Sequence, residues 1–214
     1  MLQRVQTHLS PNCGARRNGL KPSLIVIHYT AMKSAEAALE RLCDPVAEVS
    51  AHYLIAANGT VMQMVEEEAR AWHAGAGEWG GLDDINSRSI GIELDNRGTH
   101  PFAAAQMDAL ATLLRSVMDR WNIAPEGVIG HSDMAPGRKT DPGPYFDWVR
   151  LERQGLAAPA KKWMPERVDE ASFIQAARAA GYTAEASFEV LLATTRLRRA
   201  SWRSGPLHQD DFAL

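Results

Sequence analysis

At 214 residues the chain holds one ordinary domain, or one domain with a small appendage. Apolar residues make up 45% and charged residues 23%, the balance of a globular protein, and a net charge of -3 lacks the basic excess of a nucleic-acid-coating chain. Cys13 and Cys43 have no metal-type spacing and read as ordinary small residues. The first 22 residues contain no apolar h-region, and Leu24–Ile27 is far shorter than a membrane span, so the expectation is a cytoplasmic protein without one.

In chain order, Ser23–His28 (SLIVIH) is apolar and β-branched and reads as a buried strand. Ser34 can N-cap a helix, AEAALERLC, that Pro45 stops. Ser50–Ala56 and Val61–Val65 flank Asn58-Gly59, a hairpin signal because both turn positions tolerate positive φ. Ser89–Leu94 (SIGIEL) is a further strand, and Phe102–Trp121 has helical apolar spacing through Met107, Leu110, Leu114, Val117, Met118 and Trp121. Gly127–Gly130 is a short strand leading into His131, then a Pro/Gly-rich loop, APGRKTDPGP, then a helix over Tyr145–Leu156. Interleaved strands and helices with one hairpin among them predict an α/β fold on a mixed sheet. Composition changes near residues 156–163. Two short amphipathic segments follow, Ala171–Ala180 and Ala186–Arg199, so residues 1–156 form the main domain and 157–214 a small helical segment.

His8, His100 and His208 lie in polar, loop-like surroundings and read as surface residues. His28 ends a buried apolar strand, His131 ends another, and Asp141 lies ten residues on in a constrained loop. Two imidazoles and one carboxylate on rigid supports form the three-ligand set of a catalytic zinc, leaving a position for water. Each histidine taken alone is more often a satisfied structural residue. Glu93 ends the apolar strand SIGIEL, where a carboxylate is costly to bury without a partner or a task. With a raised pKa it suits the role of proton acceptor. Lys139, two residues before Asp141, could face the same side of an extended loop and stabilise an oxyanion. A buried ion pair or a plain surface lysine is the alternative for these two. No HExxH helix is present, which argues against a generic zinc protease.

The segments IVIHYTAM, SAHYLIAANGTVMQMV, RAWHAGAGEWGG, SIGIELDN and GHSDMAPGRKTDPGPYF, in this order, closely resemble the type 2 (AmpD/AmiD-like) N-acetylmuramoyl-L-alanine amidases. That family is related to T7-type lysozyme and the peptidoglycan recognition proteins. The resemblance covers about residues 20–152. It implies a mixed β-sheet flanked by helices, zinc at one edge, and hydrolysis of the amide between N-acetylmuramic acid, or its anhydro form, and L-alanine of the stem peptide. Peptidoglycan or a muropeptide is then the partner. Residue by residue, it implies His28, His131 and Asp141 as metal ligands, Glu93 as the catalytic glutamate and Lys139 as the catalytic lysine. His52 and His73 match histidines near the site, His73 lining the cleft and His52 packed beneath or beside it. Where T7-type relatives have a catalytic tyrosine this chain has Ala51, which shifts proton transfer onto Glu93. Arg70, Arg88 and Arg138, in or beside the matching motifs, are candidates for pairing with peptide carboxylates, with solvated surface arginines as the alternative.

The pieces RAAGY, RLRRASW and GPL resemble the helical peptidoglycan-binding module found behind some of these amidases. Arg196, Arg198 and Arg199 replace apolar positions of that module, so packing against the catalytic domain is the preferred expectation for this segment. The rival to catalysis is a recognition protein of the same fold that binds peptidoglycan without cleaving it.

Overall fold

The computed structural model describes residues 5–214. Its first half contains β1 (Val5–Thr7), β2 (Cys13–Ala15), β3 (Leu24–Tyr29), α1 (Ala35–Cys43), β4 (Tyr53–Ile55), β5 (Val61–Gln63), β6 (Ala69–Ala71), α2 (Ile85–Arg88) and β7 (Ser89–Leu94). The second half contains α3 (Ala104–Trp121), β8 (Val128–Gly130), α4 (His131–Met134), α5 (Trp148–Arg153), α6 (Glu170–Ala179) and α7 (Phe188–Arg199).

Six strands form one mixed sheet in the order β1-β5-β4-β7-β3-β8, and β2 pairs with β6 in a separate antiparallel ribbon. β4, β7, β3 and β8 run parallel, whereas β5 is antiparallel to β4 across the Asn58-Gly59 turn. That turn needs positive φ at Gly59, and Asn58 Oδ1 accepts from Thr60 N. The predicted hairpin strands are longer than the three-residue strands observed. At the turn-distal end Met64 N and Val65 N both donate to His52 O while His52 N donates to Gly91 O of β7, so the regular β4–β5 pairing stops there.

Period-two alternation decides what each face of the sheet carries. Ile25 and Ile27 of β3 and Ile90, Ile92 and Leu94 of β7 point to the face covered by α3, where Leu110, Leu114 and Val117 complete the main core. The opposite face is covered by α1 over Leu54 and Met62, and by α2 and the loops beside Leu24 and Val26. On β7 this second face carries Ser89, Gly91 and Glu93, so SIGIEL presents one apolar side and one small or polar side.

Two helix boundaries differ from expectation. Tyr145–Leu156 is helical only over Trp148–Arg153, because Asp147 caps it by accepting from Arg150 N and Gly155 takes positive φ beyond its end. The helix expected from Phe102 starts at Ala104. The N-terminal segment, in which sequence patterning shows no strand, supplies β1 and β2. Arg16 ties this segment down by donating to the carbonyls of Glu67, Asn86, Ser87 and Ser89. The C-terminal helices α6 and α7 enclose a core of their own, built on Phe173, Leu191, Leu192 and Phe212, with Trp79 reaching in from the main body. Among the described residues no helix is long and apolar enough to cross a membrane.

Candidate active site

Strand register builds the site. In the parallel pairing of β3 with β7, His28 lies opposite Glu93, and in that of β3 with β8, Ile27 lies opposite Gly130. The residue after Gly130 is His131, the first of α4. Glu93, His28 and His131 therefore form a row at the carboxyl ends of three neighbouring parallel strands, where α/β sheets open their crevices. Asp141 reaches the row from the loop after α4, held by Ser132 N donating to Asp141 O at 2.9 Å.

His28 Nδ1 lies 2.9 Å from His131 Nδ1 and 2.9 Å from Asp141 Oδ2, and His131 Nδ1 lies 3.1 Å from Asp141 Oδ2. All three residues are buried. The opposite ring nitrogens fix where the protons are. His131 Nε2 donates to the carbonyl of Ala74 at 2.8 Å, which leaves Nδ1 with a lone pair. Ser89 donates its only hydroxyl proton to Ile85 O at 2.6 Å, so its oxygen accepts from His73 Nε2 at 3.1 Å. His73 Nδ1 must then accept from His28 Nε2 at 3.0 Å, and His28 Nδ1 is likewise a lone pair. Three lone-pair donors converge with no proton between them. They repel unless a cation joins them, so the group fits one metal ion, with a second layer of partners that fixes each ring.

The electrostatics agree. Burial and the neighbouring His131 lower His28 to about 4, and burial with the surrounding imidazoles holds His73 well below its ordinary value. Neutral imidazoles beside a carboxylate are the protonation states that metal binding requires. Glu93 is the reverse case. Burial, reinforced by Asp141 and opposed by Lys139, pushes it up to about 8, and its Oε2 is buried with no hydrogen-bond partner.

Metal group and Glu93 line one cavity of about 420 Å³. Lys139 lines it too, half-buried, and among the described residues its ammonium has no hydrogen-bond or ion-pair partner. A family model described as N-acetylmuramoyl-L-alanine amidase matches residues 18–144, which carry every one of these groups.

The chain belongs to the N-acetylmuramoyl-L-alanine amidase family.

AmiD of Escherichia coli (strain K12) is 43% identical over 151 residues, 63% of this chain and 54% of AmiD, so the chain spans about half of that relative. AmpD of the same organism is 37% identical over 159 residues, 66% of this chain and 87% of AmpD. The structure of E. coli AmiD in complex with anhydro-N-acetylmuramic acid-L-Ala-D-gamma-Glu-L-Lys superposes with a TM-score of 0.78 at 32% identity, covering 92% of this chain and 89% of that one. AmpDh3 of Pseudomonas aeruginosa gives 0.80 at 29% identity, covering 92% and 91%. The mixed sheet flanked by helices is thus the type 2 amidase fold.

The remaining predicted residues divide between those at the cavity and those away from it. His73 lies beside the metal group as its second layer, and its ring packs so closely on β7 that a Cβ at Gly91 would sit 2.4 Å from it. His52 lies beneath, fully buried, accepting from Gly91 N at 2.9 Å. Ala51 is buried against α1. Arg138 lines the cavity, but its guanidinium donates to the carbonyls of Ala74 and Ala76. Arg70 and Arg88 do not line it: Arg70 bonds Ser87 and pairs with Asp84, and Arg88 donates to Asp83 O. Arg41 of α1 does line it, and among the described residues its guanidinium is unpaired. Sequence reading passes Arg41 over because α1 has only the pattern of an amphipathic helix.

Proposed function

We propose that this amidase hydrolyses the amide between N-acetylmuramic acid, in particular its anhydro form, and L-alanine of the stem peptide, with zinc held by His28, His131 and Asp141. The observation that carries the reading is the convergence of three proton-free donors with an unsatisfied carboxylate in one cavity. Two imidazole nitrogens and one carboxylate are the donor set of a catalytic zinc. When bound, the ion supplies Lewis acidity to the scissile carbonyl and acidifies water. Glu93, whose raised pKa favours taking and returning a proton near neutrality, accepts the proton at Oε2 and delivers it to the leaving amine of L-alanine. Lys139 places its free ammonium where negative charge develops on the carbonyl oxygen. Arg41 is a second cation at the cavity free to pair with a carboxylate of the stem peptide, whereas Arg70 and Arg88 do not line the cavity and are engaged elsewhere. The relatives' complexes with anhydromuramoyl peptides support this substrate class.

Mass spectrometry of products from a soluble anhydro-muropeptide and from purified sacculi, run side by side with a metal assay, tests the reading. A free stem peptide from the soluble fragment is expected. Tight binding without cleavage by metal-loaded protein would instead make it a recognition protein. Cell fractionation with the intact gene tests the cytoplasmic placement expected from the sequence.

A further inference from the structure

Asp133 lies two residues after His131 in α4 and is 1% exposed. A carboxylate so buried costs several kcal/mol unless charge and hydrogen bonds compensate it. One of its donors is local: Gly130 N donates to Oδ2 at 2.8 Å. The other two come from the C-terminal segment. Tyr182 donates its hydroxyl to Oδ1 at 3.1 Å, and Arg198 of α7 donates Nη1 to Oδ2 at 2.6 Å. Among the described residues Arg198 is the sole cation paired with Asp133.

Arg198 is itself held on three sides. Its guanidinium stacks on the Trp148 ring, 3.8 Å from the centroid, and Nη2 donates to Val128 O of β8. The ground around it has no slack. A Cβ at Gly130 would lie 2.7 Å from Pro142 Cδ, 3.3 Å from Trp148 and 3.4 Å from Asp133 Oδ2. The end of β8, the turn carrying His131, and the residue after Asp141 are thus packed in contact at the point where Arg198 anchors. A shift of Asp133 moves both His131 and Asp141, which the Ser132–Asp141 backbone bond already couples.

We infer that Arg198 and Tyr182 are positioning residues: the C-terminal helices hold α4, and through it the His131–Asp141 half of the metal group, in register with His28. The inference rests on the metal-site reading above. It assigns one of the arginine-for-apolar replacements in α7, Arg198, a task inside the catalytic unit.

The test is zinc affinity of the full-length protein, measured by chelator competition well below the melting temperature. Arg198→Gln is expected to weaken zinc about 10-fold, the lower end of the range for lost second-layer support. Tyr182→Phe, which removes one hydroxyl and keeps the packing, is expected to weaken it by a smaller factor and covers the case in which Arg198→Gln fails to fold. Arg198→Lys should restore part of the loss. Arg199→Gln is the control. It breaks a neighbouring ion pair with Glu152 and a bond to Ala158 O without touching Asp133, so it should lower stability and leave zinc affinity unchanged. Wild-type affinity in Tyr182→Phe and Arg198→Gln, or equal weakening in Arg199→Gln, overturns the positioning role. Failure of the wild-type protein to bind zinc one-to-one overturns the metal-site reading instead.

Discussion

Two carboxylates, Glu67 and Glu93, sit on opposite faces of the same sheet, and the protein treats them in opposite ways. Glu67 lies on the α3 face, where Tyr53 donates to Oε1, Trp121 Nε1 donates to Oε2, and Arg120 donates to both oxygens. Burial raises its pKa, but those donors outweigh burial and bring it below the ordinary value. Glu93 on the other face is half-buried, with Oε2 out of solvent and unbonded, and desolvation drives it up to about 8. A carboxylate with every lone pair occupied is a structural joint. One kept short of donors beside three converging ligands is held ready for a proton, and perturbed groups in clefts are where chemistry concentrates.

The largest expected effect removes what Glu93 serves. Chelation of the metal, or His28→Ala, should abolish turnover, and added zinc should restore the chelated protein but not the variant. Undiminished hydrolysis in His28→Ala would dismiss the ligand set. Next comes Glu93 itself. Glu93→Gln should keep one bound zinc and lower kcat about 10²-fold or more, the scale of a lost general base. Its melting temperature should hold or rise, because a neutral amide replaces a group whose charged form is disfavoured there. Near-normal kcat would remove Glu93 from the proton path.

Glu67→Ala sharpens the comparison from the other side. It should cost about 2 kcal/mol in urea melts, a figure held down because Arg120 is half exposed and its attraction is screened. The folded fraction should keep its kcat. A kcat loss comparable with that of Glu93→Gln would mean that both faces of the sheet feed the chemistry.

How far the site can be read from sequence follows from which contacts are local. His28, Glu93 and His131 each stand at the end of an apolar run, which marks them as candidates, but the row they form comes from the register between parallel neighbours, and their roles come from the family resemblance. The tautomer chain is hidden, because Ser89 reads simply as the first residue of a strand and only the fold brings His73 against it. Arg70 and Arg88 read as free cations until Asp84 and the Asp83 carbonyl arrive from the turn before α2. β1 is equally invisible: Val-Gln-Thr has one apolar residue, and its strand character comes from pairing with β5. Asp147, in contrast, is a legible N-cap that places the start of α5 correctly once it is used. The arginines of α7 break an apolar pattern in sequence, and in the structure Arg196 and Arg198 pair with Asp211 and Asp133, respectively.

The smallest effect is a slope with pH, and its sign separates the two carboxylates. In metal-free protein Glu93 titrates near 8 folded and near its ordinary 4.5 unfolded. Between those values the unfolded chain has released a proton that the folded chain keeps, so stability falls as pH rises. The contribution of Glu93 is fully present below 4.5 and gone above 8. Glu67 has its folded value below 4.5, so its contribution is present above 4.5 and lost as pH falls through the folded value. The buried neutral imidazoles of His28 and His73 add to the acid-side loss and cancel when variants are compared with wild type. Urea melts of chelated protein from pH 4 to 9 should therefore show Glu93→Gln gaining on wild type as pH rises, with the difference levelling off above about 8. Glu67→Gln should close on wild type as pH falls below 4.5. A constant offset between Glu93→Gln and wild type across the whole range would mean that Glu93 ionises in the fold as readily as in the unfolded chain, and would return it to the same class as Glu67.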